Sequence, residues 1–510
     1  MKEEIKKFFK GEAEDSEETL VKYSHDASLL EIRPKLVLFP RDSEDVKNLV
    51  KWVGKNSTRQ DLVGLSITPR CAGTDMSGGA IGESIILDFT RHMNHLVKFL
   101  DDMPQKYAPP IAFTQDFLLS NRKYSQMRTN EIPFSITIQP GMLYRNFEKI
   151  TLEKGLILPC YTASKSLNAL GGMYGNNSAG ERTLKYGKTE DYIISAKVVF
   201  ADGNEYTVQP LSQNELTKKI AQNDFEGNIY KNIFELINKN KEEIKYAKPN
   251  VHKNSAGYYI WNVINSLAKN SPSLTLSGAL GGTYAVRNSL PVNKPSEIFF
   301  DMNKLLVGSQ GTLGIATEIT FKLVPQTKHS KLVVVFMNNL EPLGRLIDEI
   351  LFFQPETLEA YDDKTMHLAV KFFPDFIKNK GFIGTLKFIW SFLPEFKMML
   401  TRGFPKLILL AEFAGDNEKI INEKCLEFTN KIKAFRLKVH ITKNQTEANK
   451  YWDIRRESFA LLRKRLKGKR TAPFIDDIIV RPKFLPKFLP ELNKILNEYD
   501  LTYTLAGHVG

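Results

Sequence analysis

The stretch Pro69-Arg70-Cys71-Ala72-Gly73-Thr74-Asp75-Met76-Ser77-Gly78-Gly79 lies shortly before the apolar run Ile85-Ile86-Leu87. The apolar run predicts a buried strand, because short apolar runs beside turn residues are typical of strands covered on both faces. The preceding stretch combines three glycines with small polar residues, which predicts a tight loop with exposed main-chain amides. This stretch, called loop 1, is the first candidate functional segment.

Two later stretches share this character. Loop 2 runs from Ser164 to Gly180 and ends Gly171-Gly172-Met173-Tyr174-Gly175-Asn176-Asn177-Ser178-Ala179-Gly180, and loop 3 is Gly308-Ser309-Gln310-Gly311-Thr312-Leu313-Gly314. Successive main-chain amides in such loops cradle an anion without help from side chains. The three loops together predict a site for a phosphate-bearing ligand.

Two common phosphate motifs are excluded. The sequence contains no Gly-x-Gly-x-x-Gly, so a Rossmann dinucleotide domain is not expected. Gly187-Lys188-Thr189 imitates the end of a Walker A loop, but Arg182 stands where the first glycine of that motif belongs. The phosphate site therefore has to be of another kind.

Length and composition describe an ordinary folded protein of several domains. The chain has 510 residues, 42% of them apolar and 25% charged, which excludes intrinsic disorder, collagen and coiled coil. Its three cysteines cannot supply the four thiolates that a cubane iron–sulfur cluster usually takes. The net charge of +13 permits nucleic-acid binding, but we find no helix-turn-helix, zinc-ligand spacing or basic repeat, so no nucleic-acid partner is expected.

The sequence predicts a soluble, cytoplasmic protein. Residues 1–20 mix Lys and Glu and lack the apolar core of a secretory signal. The longest apolar stretch, residues 381–400, is interrupted by Lys387, Pro394, Glu395 and Lys397, whereas a spanning helix needs about 20 predominantly apolar residues.

Hydrophobic periodicity predicts two blocks of mixed helices and strands, an α+β fold. In the first block, residues 197–200 and 205–208 form a hairpin around Asp202-Gly203, and residues from about 210 to 300 are typical of an insertion of helices and loops. From about residue 331, helices alternate with candidate strands at residues 332–336, 407–410, 438–441 and 501–505.

In their order and spacing, loop 1, the Pro140-Gly141 pair, loop 2, Tyr186-Gly187 and loop 3 resemble the FAD-linked oxidases. That family includes D-lactate dehydrogenases, the flavin subunit of glycolate oxidase and D-2-hydroxyglutarate dehydrogenase. The resemblance implies a two-subdomain p-cresol methylhydroxylase-type FAD-binding domain and a ferredoxin-like α+β cap domain. It implies an N-terminal lead at residues 1–34, the FAD-binding domain at 35–328 with the insertion, and the substrate cap at 329–510.

The resemblance implies that FAD is the cofactor and that loops 1 and 2 hold its diphosphate. Thr74 stands where members with a covalently attached flavin often carry His, so non-covalent FAD is expected. Gln310 departs from the Glu that is usual in relatives. The implied cofactor contacts are Arg70, Ala72, Gly73, Thr74, Asp75, Ser77, Gly78, Pro140, Ser164, Gly171, Gly172, Asn176, Asn177, Gly180, Ile193 and Ile315.

Tyr451-Trp452-Asp453-Ile454-Arg455-Arg456-Glu457 resembles the helix motif of the family's cap. In relatives the Arg before Glu binds a substrate carboxylate, which implies a catalytic-site role for Arg456. A guanidinium fork suits a planar carboxylate better than a Lys ammonium does. The alternative is an arginine on a solvated helix face.

The chain stops at Ala506-Gly507-His508-Val509-Gly510. In relatives this opens Gly-His-x-Gly-Asp-Gly-Asn-x-His, whose histidines help to bind a divalent metal or the substrate hydroxyl. His508 is therefore a candidate catalytic residue and metal ligand, although a metal site needs several convergent ligands. We expect an incomplete cap from a truncated or split protein; in that case His508 could equally be a frayed terminal residue.

The resemblance implies oxidation of a D-2-hydroxy acid by hydride transfer to flavin N5. Residues 469–480 most resemble a large branch with a C-terminal iron–sulfur domain, which is absent here. Ile475 stands where hydroxyglutarate enzymes carry a Lys for the second carboxylate, which favours a small acid such as lactate or glycolate. An iron–sulfur partner or a quinone would accept the electrons.

Three alternatives remain open at this stage. The basic, aromatic stretch 371–406 is typical either of a packed insertion or of a segment that touches the inner face of an anionic membrane. Another flavin reaction, such as alkyl-dihydroxyacetone phosphate synthesis, is compatible with the same fold. The chain could also be a non-catalytic FAD-binding subunit that needs a second chain.

Overall fold

The computed structural model describes residues 1–100, 134–251, 253–266, 298–371, 403–465 and 478–510. Three sheets of four or five strands form its frame, and helices pack against their faces. The predicted membrane-contact stretch falls almost wholly outside the described residues, as does Ile475, and the predicted insertion is described only in part.

The strands of the described residues are, in chain order, β1 (Glu12–Glu14), β2 (Leu36–Phe39), β3 (Ile67–Arg70), β4 (Ile85–Asp88), β5 (Leu96–Leu100), β6 (Ser135–Ile138), β7 (Leu156–Ile157), β8 (Ile193–Val199), β9 (Glu205–Val208), β10 (Ile264–Ser266), β11 (Ile298–Phe300), β12 (Ile315–Lys322), β13 (Val324–Pro325), β14 (His329–Met337), β15 (Thr357–Asp362), β16 (Leu407–Gly415), β17 (Lys438–Ile441) and β18 (Ala506–His508).

The α-helices of the described residues are α1 (Lys2–Ile5), α2 (Glu17–Tyr23), α3 (Ser43–Asn56), α4 (Tyr144–Leu152), α5 (Leu170–Asn176), α6 (Thr183–Tyr186), α7 (Gln213–Ile220), α8 (Phe225–Lys239), α9 (Lys241–Ala247), α10 (Asn303–Leu306), α11 (Leu343–Phe352), α12 (Asp363–Lys371), α13 (Glu418–Ile432), α14 (Gln445–Arg465) and α15 (Leu485–Glu498).

The first sheet, in the order β1-β2-β4-β3, positions loop 1. β2 and β3 pair with β4 in parallel. Alternate residues of β2 pack against α3 on one face and against α2 on the other, which explains its continuous apolar sequence. Loop 1 follows β3 and therefore leaves the sheet at the carboxyl edge of its parallel strands.

The second sheet, in the order β5-β6-β12-β8-β9, is antiparallel and positions loop 3. Every second residue of β12 is buried, and Ile319 and Phe321 lie in the core that this sheet shares with α4. The predicted hairpin is confirmed as β8 and β9, and Gly203 in its turn has φ 73°. Loop 3 ends where β12 begins.

The third sheet, in the order β17-β14-β16-β15-β18, is antiparallel and covered by helices on both faces. Val333 and Val335 of β14 pack with α11 and α13, whereas Leu332 and Val334 pack with α12 and α14. This double burial explains the uninterrupted apolar run at residues 332–337 of β14. Among the described residues, no helix is long and apolar enough to cross a membrane.

Three of the four strands predicted in the second block are confirmed within β14, β16 and β17. The predicted strand at residues 501–505 is wrong, because the last strand is β18. The N–H of Leu505 donates to the carboxylate of Asp362 at 3.0 Å, and ladder pairing with β15 begins only at Ala506. β15 itself was not predicted, since two acidic residues interrupt its apolar pattern.

A substitution at Gly141 tests how tightly the first two sheets are joined. A Cβ at Gly141 would lie 2.0 Å from Phe89 O and 2.8 Å from Met93 O, so we expect Gly141→Ala to destabilise the protein by at least about 2 kcal/mol. Gly54 on α3 is the control, because nothing lies within 4 Å of its position and alanine favours a helix. Thermal unfolding should show a lower midpoint for Gly141→Ala only; equal midpoints would contradict the packing described.

Candidate functional site

Loops 1, 2 and 3 meet at one place in the structure. Asn176 Nδ2 donates to Asp75 Oδ1 at 2.6 Å, and Gln310 Nε2 donates to Asn176 Oδ1 at 3.3 Å. The N–H of Gln310 also donates to the carbonyl of Gly175 at 2.9 Å. Side chains from three distant parts of the chain thus form one hydrogen-bonded line, and the predicted convergence of the loops is confirmed.

Asp75 organises this meeting point. Its Oδ2 accepts from the N–H of Gly79 at 2.6 Å and from the N–H of Ser77 at 3.2 Å, while Oδ1 accepts from Asn176. These donors of the protein itself occupy the carboxylate, so it holds loop 1 in shape, and its direct contact with the cofactor stays a prediction. Asp75 therefore supports the predicted cofactor site from within loop 1.

The backbone of loop 1 fits the diphosphate of FAD. Among the described residues, the amides from Ala72 to Met76 donate to no protein acceptor, although Ala72 to Asp75 are half-buried. Gly73 and Gly78 have φ of 64° and 88°, a conformation that residues with a Cβ rarely adopt. Adjacent amides without protein partners are the donor set that an anion requires.

Glycines of loop 2 bring backbones close together. The N–H of Gly171 donates to Pro140 O at 2.8 Å, and the Cys71 thiol lies 3.4 Å from the same oxygen. A Cβ at Gly180 would lie 1.8 Å from the carbonyl oxygen of Tyr161, whereas the space in front of Gly172 is open. Loop 2 therefore packs tightly against its neighbours but leaves room at Gly172.

Other predicted cofactor residues lie around this core. Arg70 donates to Ala80 O at 3.0 Å and stacks 5.0 Å above the ring of Tyr23. Asn177 ends α5 with φ 47° and accepts the N–H of Glu190 at 3.0 Å, while its buried Nδ2 has no partner among the described residues. Ser164 lies in a separate turn, where its hydroxyl pairs with Thr162 at 2.9 Å.

Ile193 and Ile315 are not brought together. Both belong to the paired strands β8 and β12, but Ile315 pairs with Val199 and Ile193 pairs with Phe321, at opposite ends of the pair. Both side chains are buried, and Ile315 directly follows loop 3. Of the two, Ile315 is the one beside the meeting point of the loops.

A second cluster lies at the third sheet, in the predicted cap, around the buried carboxylate of Glu359. Arg455 Nη2 and Nε lie 2.8 Å and 3.0 Å from Glu359 Oε2, and His508 Nδ1 lies 3.2 Å from Oε1. Burial opposes the charge of Glu359, but the hydrogen bond from His508 and the charge of Arg455 hold the pKa of its carboxyl below the usual range. An ionised carboxylate thus joins a cation to a histidine.

His508 is held in a strand and is only 6% exposed, so it is not a frayed terminal residue. Because a carboxylate accepts only, the Nδ1 that faces Glu359 carries the proton. Among the described residues, no group of three or more His, Cys, Asp or Glu could hold a metal. A metal at His508 therefore stays a prediction, and we derive no step through a metal.

Arg456 points elsewhere. Its Nη2 and Nε lie 2.6 Å and 3.2 Å from the two carboxylate oxygens of Glu181, just beyond loop 2, and its side chain is 39% exposed. Sequence reasoning missed Arg455, Glu359 and Glu181. The helix motif did contain a signal, because its two arginines are consecutive. Consecutive helical residues point about 100° apart, so Arg455 and Arg456 cannot bind the same ligand.

A further set of buried charged residues joins the segment just after loop 2 to the third sheet. Arg182 Nε lies 3.2 Å from Glu356 Oε1, and both side chains are largely buried. Burial opposes the charge of Arg182, but Tyr161, Glu356 and Glu412 together raise the pKa of its guanidinium. Burial raises the pKa of Glu412 to about 7, against a partly compensating effect of Arg182.

Two family profiles match this chain. The profile described as FAD binding domain matches residues 34–209, and the one described as FAD linked oxidases, C-terminal domain, matches residues 326–510. Together they cover more than two thirds of the chain. The chain belongs to the FAD-linked oxidases, and it contains an FAD-binding domain.

Several characterised relatives match nearly the whole chain. D-2-hydroxyglutarate dehydrogenase of Escherichia coli is 21% identical over 509 residues, which are 98% of this chain and 42% of the relative. Glycolate oxidase subunit GlcD of Bacillus subtilis is 23% identical over 503 residues, 98% of this chain and 76% of the relative. The chain thus spans less than half the length of the first of these relatives.

Solved structures share the fold. An alkyldihydroxyacetonephosphate synthase matches with a TM-score of 0.54 and 15% identity over 91% of this chain and 63% of that one. The 4-ethylphenol oxidase of Gulosibacter chungangensis matches with a TM-score of 0.53 and 11% identity over 97% of this chain and 76% of that one. The fold is therefore the mixed helix and sheet fold of p-cresol methylhydroxylase-type FAD oxidases.

Removing the Asp75 carboxylate should weaken FAD binding. Asp75→Ala deletes the acceptor for Gly79, Ser77 and Asn176, so the amides of loop 1 lose their arrangement, and we expect roughly 10- to 100-fold weaker binding. Titration of the apoprotein with FAD, followed by flavin fluorescence, measures the change. Asp61→Ala, which removes an exposed partner of Arg59, is the control. Unchanged affinity in Asp75→Ala would refute the role assigned to Asp75.

Glu412 should make stability depend on pH. Its folded pKa of about 7 lies above the ordinary 4.5, so the folded state binds the proton more tightly and stability falls as pH rises from about 4.5 through 7. Glu412→Gln should therefore raise the free energy of unfolding by about 3 kcal/mol at pH 8 and by no more than about 1 kcal/mol at about pH 5. Exposed Glu423→Gln is the control. Equal effects at both pH values would contradict the prediction.

Proposed function

We propose that this protein is a flavin-dependent oxidoreductase that oxidises a small D-2-hydroxy acid to the 2-oxo acid. The observation that carries the proposal is the buried Glu359, which holds Arg455 and His508 side by side. A 2-hydroxy acid needs a cation for its carboxylate and a base for its hydroxyl proton, and these two side chains supply both. The names of the relatives support the same class of substrate.

In this proposal each residue has one role. Bound FAD would accept a hydride at N5 from the carbon that carries the hydroxyl. Arg455 binds and orients the substrate carboxylate, and its own position is set by two contacts with Glu359. Since Nδ1–H of His508 donates to Glu359, Nε2 is the ring nitrogen left to accept the hydroxyl proton. The imidazolium that forms is stabilised by the Glu359 carboxylate.

Arg455 is our assignment for the carboxylate, in place of the neighbouring Arg456 that the helix motif alone suggested. Both arginines contact a carboxylate through Nε and Nη2, Arg456 that of Glu181 and Arg455 that of Glu359. The neighbours of each pair therefore separate them: Glu181 accepts from the Tyr161 hydroxyl at 3.2 Å, whereas Glu359 contacts a histidine. Arg455 contacts the same carboxylate, that of Glu359, as His508 does. Arg455 is therefore the arginine that lies beside the histidine of this cluster.

The electron acceptor in this proposal is a quinone or an iron–sulfur partner. The sequence carries no nicotinamide-binding motif, and its three cysteines are too few for a cubane cluster. The absence of Lys at Ile475 supports a monocarboxylate, of the size of lactate or glycolate, over a dicarboxylate.

Anaerobic addition of substrates tests the reaction. D-lactate or glycolate should bleach the absorbance of the bound flavin, D-2-hydroxyglutarate should do so less efficiently, and L-lactate should leave it unchanged. If none of these acids bleaches the flavin, dehydrogenation of 2-hydroxy acids is wrong. Recovery of the colour on adding a soluble quinone would support the proposed acceptor.

The two arginines give different kinetic expectations. Arg455→Gln should raise KM roughly 10- to 100-fold, since a charged hydrogen-bond partner of the substrate is lost. Arg456→Gln should change KM by less than about threefold and act on kcat, because it removes a contact with Glu181 and not with the substrate. If Arg456→Gln raised KM and Arg455→Gln did not, Arg456 would be the residue that binds the substrate carboxylate.

A further inference from the structure

Glu356 lies immediately before β15 and is almost completely buried, with 1% of its side chain exposed. Its carboxylate is met from the FAD-binding half of the chain. Arg182 Nε lies 3.2 Å from Oε1, Lys185 Nζ lies 3.6 Å from Oε2, and the Tyr186 hydroxyl donates to Oε2 at 3.1 Å. These three partners lie on or directly before α6, a few residues after loop 2 ends at Gly180.

A buried carboxylate is costly unless charged and hydrogen-bonding partners surround it. Among the described residues, Oε2 accepts a hydrogen bond from Tyr186, whereas Oε1 accepts none and is compensated by the charge of Arg182 alone. These partners come from the FAD-binding half, so the charge of Glu356 is compensated only when the cap and that half hold one relative position. Glu181 and Arg456 form a second ion pair across the same boundary, with the signs reversed. Glu181 therefore pairs with a cation of the cap, and the next residue, Arg182, pairs with an anion of the cap. Two adjacent ion pairs of reversed sign fit only one alignment of the two surfaces.

β15 links this boundary to the proposed substrate cluster. Glu359 lies three residues after Glu356 and holds Arg455 and His508. At about 3.3 Å per strand residue, the two positions are separated by roughly 10 Å along the chain. β15 lies between β16 and β18 in the sheet, so a displacement at one end is transmitted to the other.

We propose that Glu356 is a positioning residue, which sets the distance between the flavin loops and the Arg455–Glu359–His508 cluster by fixing β15 against α6. The proposal rests on the proposed function for its kinetic consequence. Hydride transfer requires the reacting atoms to lie within about 3.5 Å, and a misplacement of 1 Å costs roughly 100-fold in rate. A residue that holds two domains in register therefore acts on kcat more than on KM.

The test compares Glu356→Gln with the control Glu349→Gln in the full-length, FAD-loaded protein. Glu349 is also an acidic residue of the cap, but it pairs with Lys431 at 3.9 Å near the surface and far from α6 in the sequence. Glu356→Gln should lower kcat roughly 10- to 100-fold and change KM by less than about threefold, whereas the control should match the wild type. Unchanged kcat, or a loss confined to KM, would overturn the proposal.

Hydrogen exchange gives a readout that does not depend on activity. In Glu356→Gln, amides of α6 and of β15 should both exchange faster by about tenfold or more, and those of β12 should not change. If the wild type oxidises no hydroxy acid, the proposed function fails, but this exchange pattern still tests the link between α6 and β15. Wild-type exchange at both elements would overturn it.

A double variant separates positioning from general destabilisation. If Arg182 and Glu356 act as one unit, Arg182→Gln/Glu356→Gln should lose no more than about threefold beyond the worse single variant. Losses that multiply would overturn the proposal. If Glu356→Gln does not fold, Glu356→Asp replaces it in the test, because this variant keeps the charge but withdraws it by one methylene. Its kcat should lie between the kcat of the wild type and that of Arg182→Gln. A wild-type kcat in Glu356→Asp would count against positioning.

Discussion

The line of hydrogen bonds from Asp75 through Asn176 to Gln310 is the interaction on which the cofactor site depends. It joins residues separated by 101 and 134 positions in the chain. Asp75 accepts the amides of Gly79 and Ser77, while the amides from Ala72 to Met76 donate to no acceptor among the described residues. The anion site is thus made of backbone, and side chains serve to hold that backbone in place.

Gln310 shows that donors and acceptors match along this line of hydrogen bonds. Asn176 uses its Nδ2 to donate to Asp75, which leaves Oδ1 as an acceptor for the next residue. Gln310 supplies a donor at that position, whereas a carboxylate there would supply only acceptors. The amide of Gln310 therefore matches the amide of Asn176, and it places no negative charge near the predicted diphosphate site.

In the third sheet, ion pairs of two buried carboxylates fix the positions of the groups around them. Glu356 and Glu359 are both buried at β15, yet one faces the FAD-binding half and the other faces the Arg455 and His508 pair. A sheet covered on both faces by apolar side chains deforms little, because its interior is closely packed. This stiffness is what allows an ion pair at a domain boundary to influence groups three residues further along.

Features that arise from near neighbours in the chain are predictable from the sequence: the glycine-rich loops, the hairpin at Gly203 and the apolar strands. Turn geometry and alternation are local properties, so their patterns can be recognised without knowledge of the fold. Which carboxylate meets which arginine depends on the folded chain, because Glu359 and Arg455 are 96 residues apart and Glu181 and Arg456 are 275 apart. Two adjacent arginines look alike in a sequence, and the direction in which a helix turns each one assigns them to different partners.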